Sequence, residues 1–111
     1  MEVPLHFPIK RIYYIYGAPE NTRRGAHAHK DLNQILFCPH GSVTILLDDG
    51  KTKSEVLLDN PSKSLVITPC VWRDMIWIQE NSVLCVAVSD YYNEDDYIRD
   101  YQQFIQHINK P

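Results

Sequence analysis

The chain has 111 residues, 44% hydrophobic and 23% charged, with a net charge of −3. That suffices for one globular domain with its own core, is too little for two, and excludes wholesale disorder. The negative balance offers no electrostatic footprint for nucleic acid, and no apolar run approaches the roughly 18 residues of a membrane span. In chain order, the opening MEVPLHFPIK lacks a basic flank ahead of an apolar stretch, so no signal peptide is expected. Residues 9–16, rich in β-branched and aromatic side chains, predict a strand closed by Gly17-Ala18-Pro19. A short polar-lined strand is expected at 26–29 and an apolar one at 34–38, stopped by Pro39-His40-Gly41. Residues 42–47 lead into Asp48-Asp49-Gly50, a hairpin signal because Asp-Gly tolerates the positive φ of such turns, and 52–58 return from it. Asp59-Asn60-Pro61-Ser62 makes the next turn, and strands follow at 64–68, 71–78 and 82–88, the last two separated by Glu80-Asn81.

Short strands with tight turns and no helices between them predict an antiparallel barrel or sandwich. The period then changes. Tyr97, Ile98, Tyr101, Phe104, Ile105 and Ile108 are spaced as one apolar face of a helix. Asn93 is the expected N-cap, with Glu94, Asp95 and Asp96 at the positive end of the helix dipole. The helix is expected to pack across the barrel or against a partner subunit. The whole is read as a single all-β domain over residues 1–111, a small antiparallel β-barrel or jelly roll with a C-terminal α-helix. Cys38, Cys70 and Cys85 cannot all pair and lack CxxC spacing, which suggests buried free thiols of a reducing, cytoplasmic compartment.

The chemistry concentrates in Arg23-Arg24-Gly25-Ala26-His27-Ala28-His29-Lys30. On a strand, alternate side chains share a face, so His27 and His29 point one way and the alanines the other. Two imidazoles turned into a barrel cost desolvation unless they bind or react with something. Four residues separate His29 from Gln34, and six separate Gln34 from Gly41. This spacing resembles the first motif of the cupin superfamily, G…HxH…E…G, with Gln34 in the glutamate's place. In the stretch that matches the second motif, PxGxxH, Thr68-Pro69-Cys70-Val71-Trp72-Arg73-Asp74 has neither glycine nor histidine. Asp74 takes the histidine's place on strict spacing, Arg73 if the segment is one residue shorter. Two neutral imidazoles make a poor divalent-ion site, and an adjacent arginine makes it poorer, so no metal is expected. Two imidazoles, an amide and an arginine suit acid–base work on an anion or a carbonyl-bearing ligand.

The runs KRIYYIYGAPENTRRGAHAHKDLNQILFC, LLDDGK, VWRDM and SDYYNEDDYIRDYQQF resemble the dTDP-4-oxo-6-deoxyglucose 3,4-oxoisomerase family, small RmlC-like cupins of bacterial deoxysugar and polysaccharide biosynthesis. The resemblance runs from about Ile9 to Phe104. It implies a reaction without metal or cofactor, in which a dTDP-linked 4-keto-6-deoxyhexose becomes its 3-keto isomer through an enediol-like intermediate. His27 and His29 match the family's catalytic histidines, one as carbon base and the other as oxygen-side partner, with the assignment open. Arg11, Arg24 and Arg73 become candidates for the pyrophosphate or the developing enediolate. Tyr13, which shares strand parity with Arg11, and Gln34 complete the candidate binding set. Trp72, Asp90, Tyr91 and Tyr92 are read as structural, and His6, His40 and His107 as surface residues.

Two departures from the family carry expectations. Arg73 stands where many members have histidine, which leans toward a gluco-configured product. The chain also starts late, with only residues 1–8 before the first predicted strand, where relatives have a further hairpin and an Arg-Gly turn. A missing strand exposes a sheet edge, which favours a homodimer, with strand exchange as one form of it. Three other readings compete: a catalytically silent cupin that binds a nucleotide sugar or a protein, a nucleotide-sugar 3,5-epimerase, and a metal-dependent dioxygenase cupin.

Overall fold

Nine strands arranged in two antiparallel sheets form the scaffold of the computed structural model, which describes residues 7–110. They are β1 (Arg11–Ile15), β2 (Arg23–His29), β3 (Gln34–His40), β4 (Val43–Asp48), β5 (Lys53–Leu58), β6 (Ser64–Ile67), β7 (Trp72–Trp77), β8 (Val83–Val88) and β9 (Tyr97–Ile98). One helix, α1 (Tyr101–Ile108), follows. The first sheet has the order β1-β8-β3-β6 and the second β5-β4-β7-β2-β9. The sheets stack as an open sandwich of the jelly-roll kind rather than a closed barrel. The expectations for the leader and His6 lie outside the described residues.

Between the sheets, inward side chains of alternate residues meet: Leu36 and Cys38, Val43 and Ile45, Met75 and Trp77, Leu84 and Val86, with Leu58 and Ile67. Trp77 is fully buried, and its indole N–H donates to the Ser82 carbonyl at 3.2 Å, so the large ring carries no unpaired donor inside. The Asp48-Asp49-Gly50 turn forms as expected. Gly50 has φ of 91°, and its amide donates to Asp48 Oδ1 at 2.8 Å. A side chain at Gly50 would collide with Ile108, so the turn is also the seat of α1.

Three sequence expectations are corrected here. Strand β3 runs through Pro39 to His40, because the register slips between Phe37 and His40 and the missing proline N–H falls at that irregularity. The helix begins later than its apolar spacing suggested. Asn93 caps a 3-10 turn over Glu94–Asp96, accepting from the Asp95 amide, and the α-helical cap is Asp100, which accepts from the Gln103 amide. Between the two caps, Tyr97 and Ile98 are extended and pair with His29 and Ala28. Ladder pairing with β2 outweighs the helical periodicity there. Of the cysteines, all free, only Cys38 is buried, while Cys70 and Cys85 are half-buried.

The helix packs on the outer face of the second sheet, where Ala28, Ile98 and Phe104 form a second apolar cluster with Trp72, Tyr101, Ile105 and Ile108. Trp72 stands edge-on to Tyr101 with ring centroids 5.3 Å apart, the packing role its sequence context suggested. No helix among the described residues is long and apolar enough to cross a membrane.

Candidate active site

Strand β2 delivers both histidines, and its irregularity decides what stands beside them. A regular strand would put Arg24 and His27, three residues apart, on opposite faces. The β2–β7 register shifts between Gly25 and His27, where Gly25 has φ of 103° and Ala26 of 58°. This bulge inserts the extra residue that brings Arg24 and His27 into one cleft. A Cβ on Gly25 would sit 3.2 Å from the Arg73 carbonyl, so the backbone of β7 passes too close for a side chain.

The cleft holds about 350 Å³ and is lined by Tyr13, Ile15, Arg24, Gly25, His27, Met75, Tyr97 and Arg99. A larger groove of about 470 Å³ lies on the outer face of the second sheet, beside Asp48, Trp72, Asp74 and Tyr101, and contains neither imidazole. Asp74, the residue at the strict-spacing ligand position, faces that outer groove and pairs with Arg23 at 2.8 Å. Arg73 is the residue turned inward, opposite His27 across the ladder.

Behind His27 lies a fully buried layer. His29 is completely enclosed, contrary to the expectation that it opens onto a cavity beside His27. The two imidazoles meet edge-on with centroids 4.9 Å apart, and the Tyr97 ring packs against both, at 5.2 Å from His27 and 4.4 Å from His29. His29 Nδ1 lies 2.9 Å from Asp96 Oδ2. Arg73 is also fully buried; its guanidinium donates to Gln34 Oε1 and, at 3.2 Å, to the Val71 carbonyl. Gln34 Nε2 in turn donates to the Tyr13 hydroxyl at 3.4 Å. The two positions that would carry the cupin glutamate and second-motif histidine are thus bonded to each other. Arg11 stacks near Tyr13, its guanidinium carbon 4.9 Å from the ring centroid, and reaches Tyr92 at 5.9 Å. At the mouth, Glu94 accepts two hydrogen bonds from Arg99, at 2.8 and 2.9 Å, and the guanidinium lies 4.2 Å from the Tyr97 ring centroid.

Electrostatics follow from this layering. Burial, then the Arg73 cation, then His29 push the His27 imidazole down to about 3. Burial and Arg73 take His29 to about 4, against the opposing pull of Asp96. Burial also lowers Arg73, to about 10, which leaves it a cation at neutral pH. Both imidazoles are therefore neutral bases above a permanent positive charge. Among the described residues, the buried side-chain polar atoms without a partner are Arg11 Nε, His27 Nδ1, His29 Nε2 and Arg73 Nε. Such atoms are rare and costly in a folded protein. All four belong to one constellation around the imidazoles.

All seven sequence-derived candidates fall in or beside this constellation: His27, Tyr13 and Arg24 on the cleft wall, His29, Gln34 and Arg73 beneath it, Arg11 against Tyr13. The sequence reading missed Asp96, Tyr97 and Arg99. The DYIRDY run that contains them fits a helical period, which conceals the extended pairing of Tyr97 and Ile98 with β2.

A family model described as FdtA, WxcM-like, C-terminal, matches residues 1–109. A curated TDP-4-oxo-6-deoxy-alpha-D-glucose-3,4-oxoisomerase of Aneurinibacillus thermoaerophilus is 45% identical over 104 residues, 94% of this chain and 75% of that protein. The crystal structure of a 3,4-ketoisomerase from Helicobacter canadensis superposes with a TM-score of 0.92 at 43% identity, covering 96% of this chain and 80% of that one. The sugar 3,4-ketoisomerase QdtA of Thermoanaerobacterium thermosaccharolyticum, solved in complex with TDP, gives 0.91 at 43% identity, covering 94% and 76%.

Proposed function

The chain belongs to the FdtA family, and on that premise we propose that it is a sugar 3,4-ketoisomerase. Its substrate is a TDP-linked 4-keto-6-deoxyhexose and its product the 3-keto isomer. The observation that carries this reading is the set of four partnerless buried polar atoms on two neutral imidazoles and two guanidinium groups. The reaction is redox-neutral within the sugar. One proton leaves C3 and one arrives at C4, while the hydroxyl proton moves from the C3 oxygen to the C4 oxygen. His27, on the cleft wall, is the carbon base: it takes the C3 proton, exchanges it with solvent and delivers a proton at C4. His29, behind it, is the oxygen-side partner. Arg73 faces the negative charge that develops on the enediolate, in a water-poor layer where a fixed cation is worth most. Arg24 and Arg11 serve the pyrophosphate, with Tyr13 and Gln34 holding the polar edge of the site.

The protein works as one cupin domain in the cytoplasm and as a homodimer. The dimer reading draws support from the outer face of the first sheet, where Ile12, Tyr14 and Tyr16 are exposed by 66%, 62% and 67%.

The experiment is proton NMR of dTDP-4-keto-6-deoxyglucose incubated with the protein in deuterated buffer. A 3-keto product with deuterium at C4 is expected, and its coupling pattern reads the product configuration beside Arg73. His27→Asn should bind the nucleotide sugar within a few-fold of wild type and turn over roughly 10²–10⁴-fold more slowly. Exchange at C5 would replace this reading with an epimerase. Binding without any turnover would replace it with the silent cupin.

A further inference from the structure

We propose that Asp96 is the positioning residue of the reaction, fixing the tautomer of His29 so that Nε2 is the proton acceptor. The inference rests on the isomerase reading above and adds to it a residue outside the histidine motif. Asp96 reaches His29 through Oδ2, 2.9 Å from Nδ1, while its Oδ1 accepts the Asp31 amide hydrogen at 2.7 Å. The Lys30 amide donates to the Asp96 carbonyl at 2.9 Å, so the carboxylate is anchored to the loop after β2 by its backbone as well. An ionised carboxylate only accepts hydrogen bonds. The proton between the two groups therefore resides on His29 Nδ1, and the lone pair resides on Nε2. That Nε2 is fully buried and has no partner.

The other walls of the site hold His29 in this state. Tyr97, the next residue in β9, packs its ring 4.4 Å from the imidazole, which blocks rotation of the ring. Arg73 opposes a positive charge on the imidazole and Asp96 favours it. His29 is therefore neutral at rest yet has an anion in contact when it takes up a proton. A single short segment, Asp96-Tyr97, thus sets the orientation and tautomer of the buried imidazole.

The test is Asp96→Asn. The Asp31 amide remains a fixed donor, so the asparagine oxygen turns to it and the side-chain NH₂ turns to His29. That NH₂ donates to Nδ1 and drives the proton to Nε2, the opposite tautomer. A carboxylate-to-amide exchange beside a catalytic histidine can cost about 10⁴ in kcat through the wrong tautomer. A fall in kcat of about 10²–10⁴-fold is expected, with KM changed by less than about three-fold. Nitrogen-15 NMR of the histidine rings should show Nδ1–H at His29 in the wild type and Nε2–H in Asp96→Asn. Asp96→Glu, which keeps two acceptor oxygens, should recover part of the lost kcat.

Wild-type His29 with its proton on Nε2 would overturn the proposal without recourse to any variant. So would an Asp96→Asn protein with wild-type kcat. If Asp96→Asn does not fold, the wild-type tautomer and the kcat of Asp96→Glu decide in its place. Failure of the underlying reading looks different: the wild type would carry the Nδ1–H tautomer and not turn over the 4-keto sugar at all.

Discussion

Acid should unfold this protein earlier than its carboxylates would, because two imidazoles must stay neutral in the folded state. His27 is held near 3 and His29 near 4, chiefly by burial and secondly by Arg73, against an ordinary value of 6.5. The sign follows from proton counting. Below pH 6.5 the unfolded chain binds a proton at each histidine and the folded chain does not, so stability falls as pH falls. Each lowers stability by about 2–3 kcal/mol between neutral pH and about pH 4.5. The pair therefore removes about 5 kcal/mol, a large part of the 5–15 kcal/mol that a domain of this size has. The assay is urea unfolding at pH values from about 7.5 to 5. Near pH 5.5 the pair should contribute a slope of about 2 kcal/mol per pH unit, and His27→Asn should reduce it by about half. Over the same range kcat/KM should keep its neutral-pH plateau, since the free enzyme's bases titrate below it. A pH-independent stability over this range, or a slope that His27→Asn leaves unchanged, would refute the neutral buried pair.

Two further substitutions probe the support beneath the imidazoles. Gln34→Leu removes the amide that accepts from the buried Arg73 guanidinium. It should cost about 3 kcal/mol, read as a lower urea midpoint, and a loss below about 1 kcal/mol would show that the cation needs no such partner. Gly25→Ala forces a Cβ into a φ of 103° and against the Arg73 carbonyl. It should destabilise by about 1–3 kcal/mol in thermal unfolding and lower kcat as well, because the same bulge aims His27. Full activity in a folded Gly25→Ala would separate the bulge from the chemistry.

The histidine pair, Gln34 and the Asp48-Asp49-Gly50 turn were legible because each is a local signal. Alternation fixes the common face of His27 and His29, and Asp-Gly fixes a turn whatever surrounds it. What the sequence leaves unread is non-local. Tyr97 and Ile98 fit a helical stripe, but pairing with His29 and Ala28 captures them, and a sequence does not print its ladder partners. Arg24 stood at the wrong parity to join His27, and only the bulge at Gly25-Ala26 reconciles them. Burial of His29 depends on what covers it, namely Tyr97 from a strand some 70 residues later in the chain. Arg73 against Asp74 at the second motif was an ambiguity of one residue, which the inward parity of β7 resolves in favour of arginine.

On the proposed reading, the buried arginine sets a tension that the substrate would relieve. A base held near 3 is weak, and Arg73 is one of the groups that weaken His27. In the proposed reaction the same cation would face the enediolate, and in a layer of low effective dielectric such an interaction is large. A bound nucleotide diphosphate would bring negative charge to a cleft whose wall carries Arg24 and Arg99 as well as His27. That charge opposes the effect of the guanidinium groups on the imidazole and moves it upward, toward the range where a base works best. Basicity of His27 is thus a property that the substrate's own charge would raise. Glu94 keeps Arg99 paired at the mouth meanwhile, so not every cation of the rim weighs equally on the base. On this argument Arg73 serves the transition state more than the resting enzyme. The cost of burying it is shared between the Gln34 oxygen and the Val71 carbonyl.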